Sequence, residues 1–117
     1  MLKEIVDELR NDCNADGVAL IGRDGVPIAY SLPENVKSDT FSIMCATMLG
    51  AALTAASELK TSLPKWVTVE GADLKMVITH AGRKALIAVV VKAGVKSELL
   101  YPLIESAVEK IKQQMGA

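Results

Sequence analysis

Apolar positions open the chain at helical spacing. Leu2, Ile5, Val6, Leu9 and Cys13 fall on one face, and Lys3, Glu4, Asp7, Glu8 and Arg10 on the other. Asn14 and Gly17 end this helix. The period then changes: positions 18–22 (VALIG) form a short apolar strand, followed by Arg23, Asp24 and Gly25. Asp-Gly between two apolar runs predicts a two-residue hairpin turn with positive φ at both positions. The returning strand runs from Val26 to about Tyr30, and Pro27, which cannot donate a ladder hydrogen bond, places it at a sheet edge.

A loop over 31–37 with Pro33 leads to a long second helix, for which Ser38 or Asp39 is the expected cap. Phe41, Met44, Met48, Ala51, Ala52, Ala55 and Leu59 form one apolar stripe, and Ile43, Ala46, Gly50, Leu53 and Ser57 a second, nearly opposite. Ala46, Gly50 and Thr54, small residues four apart, allow another backbone to approach closely. A helix apolar on both sides needs two partners. Its own sheet is one, and a second copy of the chain is the natural other. From Thr40 to Ser57 there are 18 residues without a charge, which reaches the lower limit for a bilayer-spanning helix. Thr40, Ser42, Thr47, Thr54 and Ser57 interrupt that stretch, and Asp39 and Glu58 close it. Burial by protein on two sides fits better than membrane insertion.

After Leu63 and Pro64, Trp66, Val67, Thr68, Val69 and Glu70 alternate as a strand and turn at positions 71–73. Positions 74–79 return, with Leu74, Met76, Ile78 and His80 on one face. Past a turn at Gly82 and Arg83, the unbroken apolar run 85–91 belongs in the middle of a sheet. Gly94 breaks the chain. The last helix carries Leu100, Leu103, Ile104, Ala107, Val108, Ile111 and Met115 on one stripe, with Pro102 in or near its first turn and Gly116 at its end. The expected order is α-β-β-α-β-β-β-α: a five-stranded antiparallel sheet flanked by three helices, a single α+β domain over 1–117.

Composition narrows the function. Half of the residues are hydrophobic but only 3% are aromatic, so the core must be aliphatic. Net charge is −1 and the 13 basic residues are scattered, which argues against nucleic acid as a partner. Cys13 and Cys45 each lie in an apolar helical pattern and are expected to be buried free thiols. With two thiols and one histidine, the chain lacks the ligand spacing of a zinc site. The charged, amphipathic start from Met1 to Ile5 does not resemble a secretory signal, and a cytoplasmic protein is expected.

No catalytic, cofactor or metal residues emerge. His80 stands between a strand and a turn without a motif that supplies a nucleophile or second base, so a solvent-facing or capping role is expected. Gly22, Gly25, Gly71, Gly82 and Gly94 each stand at a strand end or turn, not together before a helix as in a phosphate loop. Arg23 and Arg83 occupy turns. They are the two residues placed to reach a partner's nucleotide as an arginine finger, although solvated turn charges are the plainer reading. Trp66, the only tryptophan, is either an interface anchor or a core residue.

The first amphipathic helix leading into Gly17-Val18-Ala19-Leu20-Ile21, the run Arg23-Asp24-Gly25-Val26-Pro27-Ile28-Ala29, the small-residue second helix and the final three-strand meander together resemble the Roadblock/LC7 superfamily, in its prokaryotic form. The resemblance covers essentially the whole chain and implies a profilin-like sandwich with the Trp66 strand at the edge opposite the hairpin. It further implies that two copies join that edge strand and pack their second helices together. Bacterial and archaeal members commonly pair with Ras-like small GTPases as regulators or platforms, and the family carries no universal catalytic residue. The expected interface residues are Met44, Met48, Ala51, Ala52 and Ala55 with Trp66, Val67, Thr68, Val69 and Glu70. An edge strand without internal Pro or Lys independently calls for a cover, and a two-fold dimer is the commonest one. The expectation is a non-catalytic homodimeric regulator or scaffold. A ligand-sensing module and an assembly subunit, including a heterodimer with a paralogue, are the alternatives.

Overall fold

The computed structural model describes residues 1–116. The elements are α1 (Leu2–Cys13), β1 (Gly17–Gly22), β2 (Pro27–Ser31), α2 (Ser38–Glu58), β3 (Val67–Glu70), β4 (Leu74–His80), β5 (Ala85–Lys92) and α3 (Ser97–Met115). All strand pairings are antiparallel, and the spatial order is β2-β1-β5-β4-β3. The expected order of elements and the five-stranded sheet are both present. Pro27 lies on an edge strand, as its missing N–H requires. The two most apolar strands, β1 and β5, stand at the centre.

Helices cover both faces of the sheet. On one face α1 and α3 close over Val18, Leu20, Ile87 and Val89 with Val6, Leu9, Ile104 and Ile111. On the other, α2 alone lays Cys45 and Leu49 over Ala19, Ile21, Ile78, Leu86 and Ala88. Each fully buried aliphatic side chain of this kind contributes about 1.5–3 kcal/mol. Alternation along the strands sorts neighbours to opposite faces: Leu20 faces α1 and α3, and Ile21 faces α2.

Local details differ from the expectations in three places. The hairpin turn is a three-residue loop over 23–25, in which only Gly25 has positive φ, at 87°. Gly25 N donates to Gly22 O and Gly22 N to Val26 O, both at 2.8 Å, and the strand register shifts beside the turn. Asp24 is there to accept the Val26 N–H on its carboxylate (3.1 Å) and does not adopt the left-handed conformation itself. In α2, Ser38 is the first helical residue; the N-cap is Lys37, without a side-chain cap. In α3, Pro102 stands five residues beyond Ser97, in the second turn. The proline removes an N–H that would have paired with the Glu98 carbonyl. Both residues are exposed.

One buried charge escaped the sequence pattern. Lys75, in β4, is 7% exposed. Its Nζ donates to Val95 O at 2.5 Å and stands 3.4 Å from Ser97 Oγ and 3.7 Å from a Glu70 carboxylate oxygen. These contacts tie β4 to the turn that launches α3. A lysine can keep its charge at such a depth only where acceptors surround it.

Candidate functional site

β3 is four residues long and hydrogen-bonds on one side only, with Val67 opposite Ile78 and Glu70 opposite Lys75. Among the described residues no strand pairs with its other side. Thr68, Val69 and Glu70 are exposed, Val69 to 38%. Val67 is half-buried against the α2 layer.

Beside this edge lies α2. Its inward stripe is Ser42, Cys45 and Leu49, flanked by the partly buried Phe41, Ala46, Met48 and Leu53. The outward stripe includes Ile43, Met44, Gly50, Ala51, Thr54 and Ala55, all exposed. This is a different division of the helix from the two stripes read off the sequence, since Phe41 and Met48 turn partly inward. The helix is long and apolar, yet most of its apolar length is left uncovered by the chain. Within one chain the sheet supplies the first apolar partner, and the second side is open. A Cβ built on Gly50 meets no atom within 4 Å, so nothing inside the chain requires glycine there. Met44, Ala51 and Ala55 are thus exposed on the helix, and Met48 and Ala52 are half-buried at its margin.

Trp66 is half-buried at the start of this edge. It precedes β3, and its indole stacks on the Tyr101 ring of α3, with centroids 4.2 Å apart and planes at 23°. It packs against the α1 and α3 side of the molecule, with Lys65 Nζ 5.7 Å from the ring centroid. No local signal in the sequence links Tyr101 to Trp66; only the fold brings the two rings together.

The arginines of the two turns are brought together. Arg23 Nη1 donates to Arg83 O at 3.0 Å, and the Arg23 backbone N–H to Lys84 O at 3.0 Å. Arg23 and Arg83 share with His80, Trp66 and Lys65 the walls of an open cleft of about 800 Å³ at one end of the sheet. His80 is half-buried. Burial, and then the nearby Arg23 charge, hold its pKa below the usual 6.5, so it is neutral near pH 7.

Both thiols are buried and free. Burial, with a smaller effect of Asp12, pushes the Cys13 pKa up to about 11, and burial pushes that of Cys45 to about 12. Neither is an activated nucleophile. Among the described residues no group of three or more His, Cys, Asp or Glu side chains is arranged to hold a metal ion.

Comparison with known proteins agrees with this geometry. The Roadblock/LC7 domain family profile matches residues 1–91. The uncharacterized protein MJ0714 of Methanocaldococcus jannaschii is 30% identical over 112 residues, covering 96% of this chain and 94% of its own. Among solved structures, Myxococcus xanthus MglB superposes with a TM-score of 0.90 at 19% identity, over 98% of this chain and 94% of that one. A Roadblock/LC7 domain from Streptomyces avermitilis gives a TM-score of 0.90 at 13% identity, over 98% of each chain. At such identities the two structures speak for the fold.

Proposed function

The chain belongs to the Roadblock/LC7 family, and on that premise we propose that it is a non-catalytic, homodimeric regulator or scaffold for a Ras-like small GTPase, acting in the cytoplasm as one domain over 1–117. The observation that carries this reading is the outer face of α2, apolar and exposed beside an unpaired edge strand. Both features are unfavourable in isolation: the face costs hydration free energy, and the edge invites indiscriminate pairing. A second copy related by two-fold symmetry resolves both at once. β3 pairs with its mate, and Met44, Met48, Ala51, Ala52 and Ala55 meet their counterparts over an interface on the order of 1,600 Å². Trp66 then braces the edge strand from behind through Tyr101.

The GTPase assignment rests on the family, whose prokaryotic members pair with such proteins. The non-catalytic part of the reading rests on the same family membership.

The decisive experiment is affinity capture from the source lysate with immobilised protein, split between GDP and a non-hydrolysable GTP analogue, with mass spectrometry of the bound fraction. Enrichment of a Ras-like GTPase in one nucleotide state is expected. Capture of only a paralogue or a larger GTPase-free assembly would replace this reading with an assembly subunit.

A further inference from the structure

The cleft at the end of the sheet has a chemistry of its own. Three segments distant in sequence supply three of its four cations: the β1–β2 turn gives Arg23, the β4–β5 turn gives Arg83, and the segment before β3 gives Lys65. With Lys112 they stand against two carboxylates, Glu105 and Glu109. Those carboxylates are already engaged, Glu105 by Lys65 and Glu109 by Lys112. Asp24, the neighbour of Arg23, spends its carboxylate on the Val26 N–H. Among the described residues neither Arg23 nor Arg83 forms a salt bridge, and both are exposed, so their guanidinium groups are open to a ligand.

Arg23 is also held in position. Its backbone N–H and one guanidinium N–H are anchored on carbonyls of the opposite turn, which limits the entropy lost when its other N–H groups take a ligand. His80 adds an imidazole at the end of β4, and Trp66 and Val108 add apolar wall. The volume of about 800 Å³ lies in the range of small-molecule sites. The lining carries a surplus of two positive charges, four cations against two anions, which matches a phosphate dianion. Arginine suits that group because its planar fork meets two oxygens at once.

We infer that this cleft binds a phosphorylated small molecule, a phosphomonoester or diphosphate, through Arg23, Arg83 and His80, with the body of the ligand against Trp66. This binding is independent of a GTPase, and the purified chain alone tests it.

His80 is the only histidine, so its imidazole proton signals are unambiguous. We would titrate ¹⁵N-labelled protein with inorganic pyrophosphate and, separately, with AMP, at constant ionic strength. Saturable shifts of the His80 ring and of the Arg23, Gly82 and Arg83 amides are expected, with a dissociation constant below about 1 mM. Arg23→Gln and Arg83→Gln should each weaken binding about tenfold, whereas Lys96→Gln, on an exposed loop, should leave it unchanged. The amide spectrum itself shows whether each variant is folded. Tighter binding of AMP than of pyrophosphate would show that the apolar wall is used. Shifts that fail to saturate, or arginine variants that bind like the wild type, would overturn the inference.

Discussion

The Trp66 indole lies against the Tyr101 ring at 4.2 Å between centroids. This one contact fastens the start of the edge strand to α3. Stacked aromatic pairs are worth about 0.5–1.5 kcal/mol beyond the area they bury. Tyr101→Ala should therefore destabilise the fold by about 2 kcal/mol, while Tyr101→Phe should be nearly neutral. Because Trp66 is the sole tryptophan, its fluorescence reports the change directly. In the alanine variant the emission should shift to the red before any denaturant is added. Unchanged emission and an unchanged urea midpoint would mean that the stack does not hold the strand.

Gly25 links the hairpin to α2. Its φ is +87°, and a Cβ there would stand 3.0 Å from Ile43 Cγ1 and 3.3 Å from the Ile43 backbone. Gly25→Ala combines left-handed strain with a clash, and a loss of about 1–3 kcal/mol is expected in thermal melts. Ile43→Ala in the same chain removes Cγ1 but keeps Cα and Cβ at 3.3 Å, so it should recover only part of the loss. Full recovery would show that backbone strain contributes nothing.

Lys75 and Glu70 offer a contrast between a buried and an exposed partner. Lys75→Ala leaves Val95 O without its donor and opens a gap beneath the β5–α3 turn, at a cost of about 1–3 kcal/mol. Glu70 is 68% exposed at its side chain and 3.7 Å from Lys75 Nζ, so Glu70→Gln should cost no more than about 0.5 kcal/mol. Equal losses in chemical denaturation would place the importance of Lys75 in the ion pair instead of in its backbone acceptor.

The dimer can be tested without damage to the core. Val67 is half-buried under α2 and is a poor site for a charge, but Val69 and Ala51 are exposed in the isolated chain. Val69→Lys with Ala51→Arg should leave the melting behaviour of the monomer close to normal. The same pair should raise the dimer dissociation constant about a hundredfold, equivalent to about 2.7 kcal/mol. Light scattering across a micromolar dilution series measures this. A monomeric wild type in that series would remove the homodimer from the proposed function.

Stability should fall at both ends of the pH scale for identifiable reasons. The folded pKa of His80 lies below 6.5, so on acidification the unfolded chain takes up the proton first. The histidine contribution is intact above pH 6.5 and is lost as pH falls through the folded value. His80→Gln should flatten that limb relative to the wild type. At the alkaline end the unfolded thiols ionise near 9, while Cys13 and Cys45 in the fold hold their protons to about 11 and about 12. Stability should decline as pH rises above 9, and less steeply in Cys13→Ala and Cys45→Ala chains. The same shielding predicts that native thiols react with a disulfide reagent only at the rate of unfolding.

Much of the architecture was legible in the residues because it depends on local chemistry. The 3.6-residue period of α1 and α3, the uninterrupted apolar run of β5 and the barred hydrogen bond at Pro27 each act within a few residues of chain. Together they determined the order of elements, the central place of β5 and one edge. The α2 helix was harder. A helix with one polar face announces its own rotation, but α2 is apolar nearly all round, so its orientation follows from the sheet it packs on. Only the folded chain shows that Ser42, Cys45 and Leu49 turn inward and leave Ile43, Met44 and Ala51 outside.

The candidate sites depended on the fold still more. Arg23 and Arg83 were marked singly as turn charges, and nothing local brings residues 60 positions apart together. The antiparallel pairing of β1 with β5, with Gly22 opposite Ala85, does that and draws both toward His80. Trp66 finds Tyr101, and Lys75 finds Val95, for the same reason. The sequence by itself determined which elements form, that β5 is central and that β2 lies at an edge, since periodicity and turn chemistry act at short range. Which side chains meet across those elements was decided only by the tertiary structure, because packing one sheet between two helical layers sets distances that no local pattern encodes.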